Sequence, residues 1–196
     1  FGQFLKRQNH NHHCHLHCLI GGECFSQPEF TAAILEECGQ RSIDTAIETS
    51  LFAPWKDIEK SLPFTNSIYV DIKHCDSKTH LELTGVGNET IMANLKKLDQ
   101  SDLPFQLHLR FPLIPGINDA DENLSALLSL GEGLEKVNDI EILPYHRLGT
   151  ATYPLLGRNY HLDNLAPPSE EYLSERLAYI SKRNRSLLVK VGSGYL

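Results

Sequence analysis

The stretch Ser67-Ile68-Tyr69-Val70-Asp71-Ile72-Lys73 decides how the rest of the chain is read. It is dense in β-branched and aromatic residues, the types that fit a pleated, half-buried surface. It predicts a strand over 67–73. Successive side chains of a strand point to opposite faces, so Asp71 and Lys73, two apart, share one face. A carboxylate and an ammonium therefore stand together at the strand's carboxyl end.

Working outward, strands and helices alternate. Before this strand, Pro28 to Cys38 reads as a helix with Phe30, Ala33, Ile34 and Cys38 on one face. Ile43 to Glu48 reads as a strand and Pro54 to Leu62 as a helix opened by proline. After it, Asp76 caps a helix to Leu83, and Asn88 to Leu98 forms another. Phe105 to Phe111 is a strand ended by Pro112 and the Pro115-Gly116 turn. A helix starts at Asp119 or Asp121 and runs to about Leu134, then Ile140 to Pro144 is a strand. Ser169 caps the helix Glu170 to Lys182, whose first turn carries two carboxylates. Leu187 to Val191 is a last strand with a tail after it. This alternation implies βαβ units and a parallel sheet. Five or so strands are too few for a closed eight-stranded barrel, which leaves an open sheet or a partial barrel.

In parallel α/β folds ligands sit at the carboxyl ends of strands. The strand ends here offer Glu48, then Asp71 and Lys73, then His146 in Glu141-Ile142-Leu143-Pro144-Tyr145-His146. Gly21-Gly22-Glu23 precedes the first helix, and paired glycines let a backbone approach a ligand closely. Asp71 and Lys73 either pair with each other or serve a ligand carrying an amine, a carboxylate and a ribose diol. Glu48 can accept from an ammonium group and His146 can donate to a carboxylate. The set suits a zwitterionic, nucleoside-like ligand.

Bulk properties exclude other classes. The chain has 196 residues, enough for one domain with a core, and a formal net charge of -7, which argues against non-specific nucleic-acid binding. At 41% hydrophobic and 22% charged it has the composition of a soluble globular protein. No stretch approaches the roughly 20 apolar residues of a membrane helix, and no signal-peptide h-region is visible. Five scattered cysteines, Cys14, Cys18, Cys24, Cys38 and Cys75, argue for reduced thiols and a cytoplasmic protein rather than a disulfide framework. Residues 1–20 read as an irregular, histidine-rich segment, and 21–196 as the single domain.

Several long motifs, in register, resemble one family. They are Gly21-Gly22-Glu23 with Gln27-Pro28-Glu29-Phe30, Thr45-Ala46-Ile47-Glu48-Thr49-Ser50, Tyr69-Val70-Asp71-Ile72-Lys73-His74, and His80-Leu81-Glu82-Leu83-Thr84-Gly85-Val86-Gly87-Asn88. The run Arg110-Phe111-Pro112-Leu113-Ile114-Pro115-Gly116-Ile117-Asn118-Asp119 continues them, with Leu143-Pro144-Tyr145-His146-Arg147-Leu148-Gly149 and Pro167-Pro168-Ser169-Glu170-Glu171 after it. In this order and spacing the chain resembles the glycyl-radical-enzyme activases, the pyruvate formate-lyase activating enzyme group of the radical S-adenosylmethionine enzymes. The resemblance implies a partial (βα)6-type open barrel that admits a large protein substrate. It implies S-adenosylmethionine and a [4Fe-4S] cluster as cofactors, and an anaerobic, cytoplasmic oxidoreductase. The reaction implied is reductive cleavage of S-adenosylmethionine to a 5′-deoxyadenosyl radical that takes a hydrogen from a backbone glycine of the partner. That partner would be a pyruvate formate-lyase-like glycyl-radical enzyme, with flavodoxin or ferredoxin as electron donor, and the activase a monomer. Carried over, Gly21, Gly22 and Glu23 match the motif that meets the methionine amino group, and Glu48 an acidic residue on the same group. Asp71 and Lys73 match the pair on the ribose and the carboxylate, and His146 a histidine at the methionine end.

One part of the pattern departs. The family holds its cluster with Cys-x3-Cys-x2-Cys, since cluster irons need thiolate ligands. Here Cys14 and Cys18 have the first spacing, but Gly21 stands at the third position. Only Leu19 and Ile20 separate Cys18 from Gly21, so a fold missing the first βα unit is expected, with no catalytic residue or metal ligand assigned. Three alternatives stay open: a non-catalytic remnant that binds S-adenosylmethionine or the partner enzyme, a metal-binding protein using the histidine-rich N-terminus, and a lyase using Lys73 as a Schiff-base amine.

Overall fold

The structure, a computed structural model, describes residues 3–7, 16–20, 23–150, 152–155, 157, 159–160 and 162–192, the first two segments as backbone. Seven strands form one sheet: β1 Gln3–Arg7, β2 Leu16–Ile20, β3 Thr45–Thr49, β4 Ser67–Asp71, β5 Gln106–Leu113, β6 Val137–Pro144 and β7 Leu188–Val191. Their spatial order is their sequence order. β1 pairs antiparallel with β2, and every later pair is parallel. Helices fill the crossovers: α1 Pro28–Gln40, α2 Trp55–Glu59, α3 Ser77–Thr84, α4 Glu89–Asp99, α5 Asp121–Glu132, then α6 Thr152–Leu155 and α7 Glu170–Arg183. Parallel crossovers are right-handed. An order that never reverses therefore puts every helix on one face of the sheet. The other face is left free to line an open barrel.

The helix-covered face is apolar. Ile47, Ile68, Val70, Ile72, Leu107, Leu109, Phe111, Leu113, Ile140 and Ile142 are almost wholly buried and join one core with Leu35, Ile58, Leu95, Leu98, Leu124 and Leu127 from the helices. Each such side chain contributes about 1.5–3 kcal/mol. The alternate positions of the same strands, such as Tyr69, Asp71, His108, Arg110, Asp139 and Glu141, face the other way.

Most elements lie where the sequence puts them, and Asp76 and Ser169 cap α3 and α7 by accepting from Thr79 N and Tyr172 N. Three readings change. In α1 the buried stripe is Thr31 and Leu35, while Phe30 and Ala33 are exposed. Thr31 Oγ1 donates to Cys24 O at 2.7 Å, so the hydroxyl on the buried stripe is satisfied and can be buried with Leu35. The expected helix from Pro54 to Leu62 is only Trp55–Glu59, followed by a 3-10 turn over Leu62–Phe64. The winding tightens at Ser61, whose N–H donates to Ile58 O three residues back at 3.0 Å rather than four. Finally, the segment expected to be irregular supplies β1 and β2, with β2 in parallel register against β3 (Cys18 opposite Ala46). An open ladder edge at β3 is satisfied by any backbone that reaches it, so a poor strand sequence is overridden. Residues 9–15 of the histidine-rich run lie outside the described residues.

The loops after the strands are fixed by buried asparagines. Asn94 Nδ2 donates to Leu51 O and Ala53 O after β3, both at 2.9 Å. Asn118 Nδ2 donates to Lys73 O and Pro112 O at 3.0 and 2.6 Å, and its Oδ1 accepts from Ile114 N at 2.8 Å. Asn88 holds His74 O and Cys75 O. Leu51 is fully buried at φ 58°, a left-handed conformation costly for a leucine, and the Asn94 bond retains it.

Replacing Asn118 by alanine leaves two buried carbonyls and one N–H without partners. The expected loss is about 2–4 kcal/mol, at 1–3 kcal/mol for each stranded group with partial relaxation. Urea unfolding measures it, and a loss below about 0.5 kcal/mol, the scale of an ordinary surface change, would contradict this role.

Candidate functional site

Alternation and register bring the polar residues of four adjacent strands onto the free face. Asp71 on β4 stands opposite Arg110 on β5, and Arg110 opposite Glu141 on β6. Glu48, near the end of β3, reaches the same guanidinium. Arg110 Nη1 lies 2.6 Å from Glu48 Oε2, and its Nε lies 3.7 Å from Glu141 Oε2 and 3.9 Å from Asp71 Oδ1. The other oxygen of Asp71 is 3.6 Å from Lys73 Nζ. Arg110 is buried, with 9% of its surface exposed, while the Lys73 side chain is 41% exposed. A buried cation is retained only if paired, and here three carboxylates share it. In formal charge, Glu48, Asp71 and Glu141 exceed Arg110 and Lys73 by one negative unit.

One step further down the same face lies a second polar layer. His108 is buried and stacks on Tyr69, with ring centroids 4.6 Å apart and an interplanar angle of 15°. Its Nδ1 is 3.1 Å from Asp139 Oδ1, and Lys190 Nζ on β7 donates to Asp139 Oδ2 at 2.5 Å. This layer is formally balanced, so the surplus negative charge belongs to the layer at the barrel mouth.

The residues singled out in the sequence behave differently from one another. Glu48, Asp71 and Lys73 come together, joined by Arg110. Glu23 is already occupied. Thr49 Oγ1 donates to its Oε1 at 2.7 Å, and Ser50 N and Oγ donate to its Oε2 at 2.9 and 2.6 Å. It also caps the turn Cys24–Ser26 through Phe25 N. Glu23 thus ties the start of the Cys24–Ser26 turn to the end of β3. Gly21 and Gly22 lie outside the described residues. His146 is exposed just after β6, and its Nδ1 accepts from Leu148 N at 3.3 Å. Arg110 and Glu141 were quoted in the sequence only as parts of motifs. Their signal was the alternation in Gln106-Leu107-His108-Leu109-Arg110-Phe111, which places polar residues on the face that carries Asp71.

This mouth can hold a ligand that brings one net positive charge, with the half-exposed Lys73, paired to Asp71, at its outer side for a carboxylate. S-adenosylmethionine has that charge pattern, and the residues present fit it. Among the described residues three cysteines are free thiols, Cys24, Cys38 and Cys75. Burial, aided by the neighbouring Glu23 charge, pushes the Cys24 thiol up to about 12, and burial alone pushes Cys75 up to about 12. Among the described residues no group of three His, Cys, Asp or Glu side chains is placed to hold a metal ion. Cys14 lies outside them, and Cys18 sits in β2 opposite Ala46.

The raised thiols carry a pH signature. From about pH 9, the ordinary value, to about pH 12, the folded chain keeps Cys24 and Cys75 protonated while the unfolded chain releases those protons. Folding stability therefore falls as pH rises through this window, by at most about 1.4 kcal/mol per pH unit for each thiol. Urea midpoints at pH 8, 9, 10 and 11 measure the slope. Cys75→Ala is expected to flatten it, and an unchanged slope in that variant would contradict the assignment.

Comparison with known proteins bears on the whole arrangement. Residues 3–128 match the model of the radical SAM superfamily. The chain is 39% identical, over 159 residues, to the isethionate sulfite-lyase activating enzyme of Oleidesulfovibrio alaskensis, a match covering 81% of this chain and 49% of that protein. It is also 39% identical, over 157 residues, to the 4-hydroxyphenylacetate decarboxylase activating enzyme of Clostridioides difficile strain 630, covering 79% of this chain and 49% of that one. The chain spans about half the length of the curated relatives it matches. Among solved structures, a domain of pyruvate-formate lyase-activating enzyme from Bacteroides vulgatus superposes with a TM-score of 0.71 at 27% identity, covering 90% of this chain and 98% of that domain. The family match takes in β1 to β5, the strands that carry Glu48, Asp71 and Arg110, and the chain belongs to the radical SAM superfamily.

Proposed function

We propose that the polar mouth of this barrel binds S-adenosylmethionine, in a protein that activates a glycyl-radical enzyme. The observation that carries the reading is the charge around Arg110 among the described residues: three carboxylates against two cations, on the inner face of four parallel strands. Glu48 and Asp71 receive the cationic end of the ligand, its ammonium and sulfonium. Asp71 also accepts from the ribose diol. Lys73 takes the methionine carboxylate. Glu23 does not touch the ligand in this reading. Its carboxylate is held by Thr49 and Ser50 at the end of β3, and Gly21 and Gly22, which precede it in the chain, serve the amino group with their backbone groups. His146 closes the methionine end from the loop after β6.

The activity is a proposal for the whole protein, of the kind its relatives' names describe. Bound S-adenosylmethionine supplies the hydrogen-abstracting group of such an oxidoreductase. This chain's residues bind and orient the nucleoside. The protein substrate is a glycyl-radical enzyme, and a small electron-transfer protein of the flavodoxin or ferredoxin kind would supply the one electron consumed when the S–C5′ bond of S-adenosylmethionine is cleaved to methionine and the 5′-deoxyadenosyl group. No helix of the described residues is long and apolar enough to cross a membrane.

Charge makes the reading testable. A unit charge about 4 Å from the surplus carboxylate is worth about 4 kcal/mol at an effective dielectric of about 20, and solvent at the mouth reduces that severalfold. S-adenosylhomocysteine lacks the sulfonium charge but keeps the nucleoside. Calorimetry on the chain is expected to show S-adenosylmethionine binding about tenfold more tightly than S-adenosylhomocysteine, a gap of about 1.4 kcal/mol. In Glu48→Gln the gap is expected to close. No heat with either ligand, or equal affinities in the unsubstituted chain, would overturn the reading.

A further inference from the structure

Gly192 follows β7 and is buried. Its N–H donates to Ile142 O at 2.9 Å, which extends the β6–β7 ladder by one step. A Cβ at this position would lie 2.5 Å from Leu143 Cδ2, 2.8 Å from Glu141 Oε1 and 3.2 Å from Glu141 Cδ. Real Cβ atoms do not approach other atoms so closely, so something has to move. The φ angle of Gly192 lies outside the left-handed region, so space and not backbone conformation calls for glycine. The other side of the same carboxylate faces the site, where Glu141 Oε2 is 3.7 Å from Arg110 Nε. Glu141 therefore stands between Gly192 and the guanidinium that joins Glu48 and Asp71.

We propose that Gly192 is a positioning residue of the ligand site: its missing side chain gives the Glu141 carboxylate room to stand beside Arg110, and through Glu141 it fixes the guanidinium against Glu48 and Asp71. This rests on the reading that the mouth binds S-adenosylmethionine. The physical basis is the shared cation. Arg110 divides its charge among three carboxylates, so displacing one redistributes its pairing with the other two. What changes is how much negative charge the mouth offers a cationic ligand. The atoms that a Cβ would strike are the far ends of two flexible side chains, Leu143 and Glu141. An alanine is accommodated by displacing them, with the ladder left in place, which keeps the test clear of simple unfolding.

The test uses the whole chain with Gly192→Ala, Gly192→Ala combined with Glu141→Asp, and Glu141→Asp alone. Each is titrated with S-adenosylmethionine and with S-adenosylhomocysteine, and each is unfolded in urea. Gly192→Ala is expected to weaken S-adenosylmethionine about fivefold and S-adenosylhomocysteine less than twofold, as befits a displaced charge near a cationic group. Aspartate is one methylene shorter and withdraws from the new methyl group. The double variant is therefore expected to regain affinity relative to Gly192→Ala, although Glu141→Asp alone does not raise it. A Gly192→Ala chain that binds both ligands as the unsubstituted chain does overturns the proposal and leaves the reading of the site standing. Equal weakening of both ligands without rescue reduces Gly192 to a packing residue and also overturns it. Failure of the unsubstituted chain to bind either ligand overturns the underlying reading.

Discussion

A guanidinium on the inner face of a half-closed barrel has to be neutralised, and the site is built around how that is done. Arg110 projects from the middle of β5, buried, with neighbouring strands on both sides. An isolated charge there would cost several kcal/mol. Glu48, Asp71 and Glu141 meet it from β3, β4 and β6, so one cation ties four strands together, at the ends of β3 and β4 and the middles of β5 and β6. Three acids for one buried base exceed neutrality even with Lys73 added. That excess turns a structural ion cluster into a place where a cationic ligand is welcome.

The cluster can exist because the sheet is one-sided. A strand order that never reverses sends every right-handed crossover to the same face. Apolar residues at alternate strand positions supply that face with its core, and the remaining positions are free to be polar. The layering continues inward: beneath the surplus at the mouth, His108, Asp139 and Lys190 form a neutral layer against Tyr69. The loops that rim the mouth are fixed in turn by Asn88, Asn94 and Asn118, whose amides satisfy backbone carbonyls left open where the strands end.

Much of this was legible in the sequence because it follows from period-two alternation and strand ends. The strand expected over 67–73 ends at Asp71, yet Lys73 stands 3.6 Å from the Asp71 carboxylate, and the capping residues Asp76 and Ser169 marked their helices. Arg110 was harder to see, since its importance lies in partners from three other strands, and register is not written in any one of them. Glu23 shows the opposite limit. Its motif suggested a ligand contact, but four hydrogen bonds to Thr49, Ser50 and Phe25 occupy the carboxylate. Such saturation depends on a loop 26 residues away in sequence. The strands β1 and β2 were missed because propensity says little where an open ladder edge recruits backbone of any composition. Gly192 read as the start of a tail, and only the packing against Glu141 and Leu143 gives it a place in the site.

The most direct measurement is a crystal of this chain soaked with the selenium analogue of S-adenosylmethionine, read by anomalous scattering. Selenium carries the positive charge of the selenonium, so its peak reports where the cationic centre rests. The expected result is a single peak at the barrel mouth, in contact distance of the Glu48 and Asp71 carboxylates and on the side of Arg110 away from the His108 layer. A peak elsewhere on the protein, or none at ligand concentrations that saturate the calorimetric signal, would contradict the assignment of this polar face as the S-adenosylmethionine site.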